Sequence, residues 1–569
     1  MLDVVIRNGR VVDGSGSLAF RADVGIQGDR IVCLGDLGRQ EARTSVDAAG
    51  CVVSPGFIEI HGHSDYLILA NPRASSKVMQ GVTTEVAGNC GFSSVPLGKA
   101  WVPEWWVQDP VLDANGHRRW AVDWQEASRL AEPQGLQLTW RSTREYLETI
   151  EKTGTAVNYC QLVGHHALRA AVTGEVLRRP SEDELGEMER CLEQAMDEGA
   201  WGFSCGFDID HDVLSSEFSK LSRITARYGG LFAFHIRSYD DQLIKSVQEA
   251  IDICREAGVR VAVSHLMAEP EENWGKVKHA VDMLECARAE GLPIAWDVLP
   301  FTMGGGNYFT YRIIDLLPPA LVAGGQQQFT SSGRDWLEGM FRSGDPIPTR
   351  RRPDGSRHPF RQPFWDRSMR ITRCPSRPEL EGLTVAQAAC TLGTDGIHAL
   401  LDLVAGNWND LHYATYPLSE DDLRFLLQHP FTMIGSDGGV LTAVDATLGA
   451  EYPDERLPHP RIYAAFPRII RRYVRELGDL SLEEACRRMT SLPAAWFGLY
   501  DRGLLRPGMV ADVIVFDPEA FEDRPDLHSP PKEVSCGLKD VLVSGVHVLR
   551  DGKETGRLPG QVLRPCGRR

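Results

Sequence analysis

The sequence predicts an α/β protein built on a parallel (β/α)8 barrel. Apolar, strand-like runs alternate with amphipathic helical segments through the middle of the chain, the pattern of a parallel sheet covered by helices. Six residues with metal-binding side chains, His61, His63, Cys90, His235, His265 and Asp437, each stand at the end of one such run. In a parallel barrel, the carboxyl ends of different strands point into one shared crater. The length of 569 residues exceeds one ordinary domain, and 43% hydrophobic content is enough for a sizeable core.

The amino-terminal stretch reads as β-rich. Residues 2–8 alternate loosely and turn at Asp13-Gly14-Ser15-Gly16, and residues 22–26 and 30–34 are flanked by turn residues as short hairpin strands are. The first barrel run, 57–60, leads into His61-Gly62-His63, whose spacing of two puts both imidazoles on one side of a strand. The next, 82–87, leads to Cys90.

Residues 100–140 then break the alternation with Trp101, Trp105, Trp106, Trp120, Trp124 and Trp140, out of 13 tryptophans in the chain. Following a barrel strand, this segment is expected on the catalytic face as a βα loop. It reads either as an aromatic wall for an apolar or aryl acyl group or as a long loop with a small core of its own.

A helix is expected from Ser181, with Glu184 completing a capping box and Leu185, Met188, Leu192, Ala195 and Met196 on one stripe. The run 231–234 precedes His235 and 259–264 precedes His265. A helix over 274–289 feeds a strand over 293–298. A second interruption, 304–391, contains Arg350-Arg351-Arg352, which reads as a solvated loop. The run 431–436 ends at Asp437. From Gly508 the β texture returns in 511–516, 541–544 and 546–549, with Asp551-Gly552 closing a hairpin.

The formal net charge of -17 excludes nucleic acid as an expected partner, since phosphate binding needs a basic face. The 13 cysteines are dispersed and odd in number, unlike a disulfide scaffold. No signal peptide is evident, and no apolar run nears the ~18 residues of a membrane span. The expectation is a cytoplasmic protein with reduced thiols.

Taken singly, a histidine in an apolar run is more often a satisfied core group, and a buried cysteine is usually inert packing. All six residues at strand ends, in the order of successive strands, favour a site instead. Imidazole, thiolate and carboxylate together suit zinc or a similar divalent ion.

The run from Ser54 to Asp65, with Ile60-His61-Gly62-His63-Ser64-Asp65 at its end, resembles the first metal motif of the amidohydrolase superfamily. Gly81-Val82-Thr83-Thr84-Glu85-Val86-Ala87-Gly88-Asn89-Cys90-Gly91 is similar to the N-acyl-D-amino-acid deacylase (D-aminoacylase) branch, in which a cysteine is a metal ligand. Further matches are His235-Ile236-Arg237, Ser264-His265, Asn273-Trp274-Gly275-Lys276, Gly435-Ser436-Asp437-Gly438, His459-Pro460-Arg461 and the tail from Ala511 to Pro518.

The resemblance implies three parts: residues 1–55 and 501–569 forming one small β-sandwich, and a barrel over 56–500 with insertions at about 100–140 and 304–391. It implies one zinc ion held tightly by Cys90, His235 and His265. His61, His63 and Asp437 then line a weaker second position. No lysine lies in the runs 156–163 or 200–205 to bridge two ions as in other branches, so Cys90 takes that role. Zinc would lower the pKa of water from 15.7 to about 7 and polarise a carbonyl, while Asp437 moves the proton to the departing nitrogen. Arg461 maps onto the arginine that holds the substrate carboxylate.

Two positions depart from the family: Met267 stands for a lysine and Leu299 for a tyrosine. The reading is therefore a zinc-dependent hydrolase of an N-acyl compound bulkier or more apolar than N-acetyl-D-amino acids, with homo-oligomers allowed. The same site acting on a cyclic amide, an ester or a C–C bond beside a carbonyl is the alternative. A non-catalytic assembly protein is the alternative of another class.

Overall fold

The computed structural model describes residues 1–102, 119–132, 135–207, 213–304, 306–308, 329–343, 346–351, 357–359, 367–440, 459–523 and 535–565. At its centre eight strands pair in parallel: β1 (Phe57–Glu59), β2 (Val82–Ala87), β3 (Asn158–Gly164), β4 (Gly202–Cys205), β5 (Leu231–Phe234), β6 (Arg260–Val263), β7 (Ile294–Val298) and β8 (Thr432–Ile434). They lie in the order β8-β7-β6-β5-β4-β3-β2-β1. A parallel bridge between Gly62 and Gly438 joins the two outer strands, and His63 N donates to Gly438 O at 3.1 Å. The sheet is a closed (β/α)8 barrel.

Both faces of these strands are covered, which explains why they read as continuous apolar runs. Every residue of β3 is buried. Ile58, Val86, Leu162, Leu231, Ala233, Ala262, Ala295 and Met433 pack into one inner cluster, a filled lumen as barrels of this size require. Phe57, Val82, Phe232, Val261 and Ile294 belong to a larger core shared with the surrounding helices.

Those helices follow local signals. The helix Glu182–Asp197 begins at Ser181, whose hydroxyl accepts from Glu184 N while the Glu184 carboxylate accepts from Ser181 N. Leu185, Met188, Leu192, Ala195 and Met196 are its buried stripe. The helix expected from 274 starts at Lys276, because Trp274 is non-helical at ψ 141° and Gly275 is left-handed at φ 88°, so neither joins the helical turn.

Strands from both chain ends meet in one seven-stranded sheet: Val52–Pro55, Arg10–Val11 and Phe20–Arg21 join Val513–Phe516, Leu538–Val543, Val546–Arg550 and Lys553–Glu554. The Asp551-Gly552 turn has φ of 48° and 72° and closes the expected hairpin. Four amino-terminal strands form a second sheet, and Val4, Ile6, Val24, Val513, Val515 and Leu542 share one core with it.

Within the second interruption, Phe329, Leu337, Ile371, Val385, Leu401 and Tyr413 pack a separate small core. The arginine run begins inside a strand, Pro346–Arg351, paired with Arg357–Pro359, where a loop is expected from sequence. Strand pairing there is set by the partner segment, which local composition does not reveal. Arg352 lies outside the described residues.

In the Trp-rich segment, Trp101 and Trp140 are buried in the main core. Trp101 meets Tyr66 edge to face at 5.2 Å, and Trp140 Nε1 donates to Ser94 O at 2.9 Å. These two are packing residues, and Trp120 and Trp124 pack against core clusters. Trp105 and Trp106 lie outside the described residues. No helix of the described residues is long and apolar enough to cross a membrane.

Candidate metal centre

All six residues singled out from the sequence come together at the carboxyl ends of the barrel strands. They form two groups that share one atom. His61, His63, Cys90 and Asp437 make the first, and Cys90, His235 and His265 the second, with the ligand atoms of each group within 4.8 Å of one another. Cys90 Sγ lies 3.2 Å from His61 Nε2 and 3.4 Å from His265 Nε2. His63 Nε2 lies 3.0 Å from Asp437 Oδ1, and the His235 and His265 rings meet edge to face at 4.6 Å.

The backbone is unusual at three of the six. Cys90, His265 and Asp437 have φ of 50°, 34° and 52°. Side chains rarely adopt this left-handed region, and such strain persists only where the surroundings enforce it. At His265 it has a clear effect. Ala262 packs into the lumen, so simple alternation would aim residue 264 inward; the left-handed turn re-aims His265 into the crater.

Electrostatics suit a cation. His265 is held well below the ordinary imidazole range by burial and then by the neighbouring His235, so it is a neutral lone-pair donor. Burial pushes the Asp437 carboxyl up, but the Arg461 guanidinium and the His63 contact outweigh it, and the group sits well below the usual carboxylate range. One thiol, four imidazoles and one carboxylate, nearly all buried, form a donor set that fits zinc, and the Cys90 sulfur is the soft donor common to both groups.

The structure also brings in residues that sequence reasoning passed over. Asp297, at the end of β7, has an oxygen 3.3 Å from His61 Nδ1 and accepts from His265 N at 2.9 Å, so it orients a residue of each group. Its strand-end position was a signal that could have marked it. Tyr239 packs against His235 and His265, with ring centroids 5.3 Å from each. Nothing in its sequence context distinguishes it from a core tyrosine. His459 Nδ1 accepts from Arg461 N at 3.0 Å and its Nε2 reaches Met303 O at 3.2 Å, which seats the helix carrying Arg461.

Arg461 lies at the site, with its Nη1 donating to Asp437 Oδ2. Its Nε is buried and has no hydrogen-bond partner among the described residues. Met267 and Leu299 line one narrow apolar cleft of about 20 Å³ together with His265, Val298, Phe301 and Leu423.

Comparison with known proteins agrees with this architecture. A model described as the amidohydrolase family matches residues 44–308 and 453–554. An N-acyl-D-glutamate deacylase of Alcaligenes xylosoxydans xylosoxydans is 31% identical over 565 residues, covering 99% of this chain and 96% of that protein. The N-acyl-D-glutamate deacylase of Bordetella bronchiseptica was solved with zinc and a phosphonate mimic of the tetrahedral intermediate. It is 30% identical, with a TM-score of 0.72 over 99% of this chain and 100% of that one. A D-aminoacylase solved to address the functional role of its binuclear metal centre is 29% identical, with a TM-score of 0.73 over the same shares. With a family model matching more than half of its length and a deacylase matching nearly all of it, the chain belongs to the amidohydrolase family, in its D-aminoacylase branch.

Proposed function

We propose that the protein is a zinc-dependent hydrolase that cleaves the amide C–N bond of an N-acyl compound, releasing a carboxylic acid and an amine. The observation that carries this reading is the sharing of Cys90 Sγ between the two ligand groups. Cys90, His235 and His265 would hold one ion tightly, and His61, His63 and Asp437 would complete a weaker position beside it. Zinc there would supply a polarised carbonyl and a water of lowered pKa.

The protein's own groups do the rest. Asp437 takes the proton of the attacking water and delivers it to the departing nitrogen. Asp297 and Tyr239 fix the imidazole orientations. Arg461 offers a planar fork, and an Nε that has no partner among the described residues, to a substrate carboxylate. A carboxylate bound there would draw the guanidinium away from Asp437 Oδ2, freeing that oxygen to accept a proton.

The substrate is less polar than an N-acetyl-D-amino acid and carries an apolar or aryl group larger than acetyl. Support comes from Met267 and Leu299, where a lysine and a tyrosine are implied by resemblance, both facing one apolar cleft beside His265. A polar group pressed there would find few partners beyond the Ser419 hydroxyl and the Asp422 carboxyl of the lining, and each group left unpaired costs ~1–3 kcal/mol. The cleft itself admits little more than a methyl group, so the larger part of the substrate would lie over its mouth.

The test is metal analysis of the purified protein together with kcat/KM for N-acetyl-D-methionine against aryl and long-acyl amides, lactams and esters. Preferential turnover of N-acetyl-D-methionine removes the apolar reading. Preference for lactams or esters moves the site to another bond. Zinc-loaded protein inert on the whole panel removes the hydrolase reading.

A further inference from the structure

A fully buried charge cluster lies beside the metal centre, at the seam where the barrel closes. Lys77, on the short helix Ser75–Val78, has no exposed surface, and neither do Glu59, at the end of β1, and Glu85, within β2. The ammonium has three protons to donate. All three are used: to Glu59 Oε2 at 3.1 Å, to Ser436 Oγ at 3.0 Å and to Gly438 O at 2.7 Å. Glu59 Oε1 accepts from His61 N and from Ser436 N, each at 3.0 Å. Gly438 O also accepts from His63 N at 3.1 Å.

These contacts are selective. His61, His63, Ser436 and Gly438 are the first group's histidines and the two neighbours of Asp437. The backbone of His235 and His265 is held elsewhere, His235 N by Cys205 O at 3.2 Å and His265 N by Asp297 Oδ1 at 2.9 Å. An ammonium and a carboxylate taken out of water cost free energy unless each is paired and hydrogen-bonded. A plain packing role at this position needs no charge, since an apolar side chain of the same length would fill the space.

We propose that Lys77 and Glu59 are a positioning pair. They lock β1 to the segment after β8 and so set the His61–His63–Asp437 half of the metal centre, while the backbone of His235 and His265 is held by Cys205 and Asp297 instead. The proposal rests on the metal-site reading above, but its first readout does not depend on turnover or on metal.

Hydrogen–deuterium exchange of the metal-free full chain compares wild type with Lys77→Met and with Arg502→Met. The latter breaks a buried pair with Asp512 at 2.7 Å, at the amino ends of the strands, where Asp512 O accepts from Gly56 N. Lys77→Met is expected to raise exchange at His61, His63, Ser436 and Gly438 by about tenfold or more while His235 and His265 stay protected. Arg502→Met is expected to leave all six amides unchanged.

Zinc titration gives the second readout. Affinity at the weaker position is expected to fall about 10–100-fold, with the tighter ion held as in wild type. Should Lys77→Met not fold, Lys77→Met/Glu59→Gln removes both charges together and is read in the same way. Unchanged protection at the four amides, or a loss spread equally over His235 and His265, overturns the proposal. Selective loss of protection in a protein inert on every amide keeps the positioning pair and discards the hydrolase reading.

Discussion

Arg461 Nη1 donates to Asp437 Oδ2 while His63 Nε2 stands 3.0 Å from Oδ1, so the proposed proton carrier is held between the proposed substrate anchor and a proposed metal ligand. Binding and proton transfer therefore draw on the same guanidinium. Arg461→Ala is expected to lower kcat/KM by about 10–100-fold for substrates that carry a carboxylate, the worth of a charge-assisted hydrogen bond. Neutral aryl amides should lose much less. Equal losses on both substrate classes would remove Arg461 from carboxylate recognition.

Asp437→Asn keeps the size of the side chain but cannot take a proton. Turnover is expected to fall by about 10²–10⁴-fold. The ion at Cys90, His235 and His265 should remain, because Asp437 belongs only to the other group. Single-turnover kinetics with zinc quantified on the same sample checks both halves of the expectation.

Cys90→Ala removes the atom common to both groups. Loss of bound zinc and of turnover together is expected, since the remaining imidazoles and carboxylate would be left without the sulfur proposed to serve both groups. Elemental analysis after dialysis decides it; a variant that keeps stoichiometric zinc and normal activity would show the ligand assignment to be wrong.

Met267→Lys combined with Leu299→Tyr returns the two polar groups implied by resemblance to the cleft beside His265. Relative kcat/KM for N-acetyl-D-methionine over an aryl amide is expected to rise about tenfold, as one added hydrogen bond allows. No change in the ratio would mean that the cleft takes no part in choosing the substrate.

Burial pushes the Glu85 carboxyl up from 4.5 to about 7, against the lowering effects of Lys77 and the Ser64 hydroxyl. The folded state thus holds this proton more tightly than the unfolded chain. The cost of ionising Glu85 is absent below about pH 4.5, grows through the interval to 7 and is complete above it. Glu85→Gln, which cannot ionise, is expected to gain stability relative to wild type between pH 5 and pH 8, by up to ~3 kcal/mol. Urea unfolding of the metal-free proteins at the two pH values measures the difference; a gap that does not widen with pH would place Glu85 in an ordinary range.

The barrel and the six-residue centre were legible in the sequence because both are written locally. Apolar runs of strand length mark where chain is buried on both faces, and a histidine, cysteine or aspartate just past each run lies at a strand's carboxyl end whatever the rest of the chain does. The Ser181 cap and the Asp551-Gly552 turn were readable for the same reason, since each signal spans a few residues.

Only the tertiary structure decided which groups meet. That Cys90 stands between His61 and His265, that Arg461 rests on Asp437, and that Lys77 reaches Ser436 and Gly438 all depend on closing the sheet through Gly62 and Gly438, which lie far apart in the chain. The left-handed backbone at His265 overrides the alternation that a strand pattern would carry forward. Trp101 and Trp140 went to the core because Tyr66 and Ser94, from other segments, supply their polar partners. Periodicity and strand ends are properties of neighbouring residues, whereas a buried charge, a shared ligand or a partner for an indole N–H comes from whichever distant segment the closed barrel places beside it.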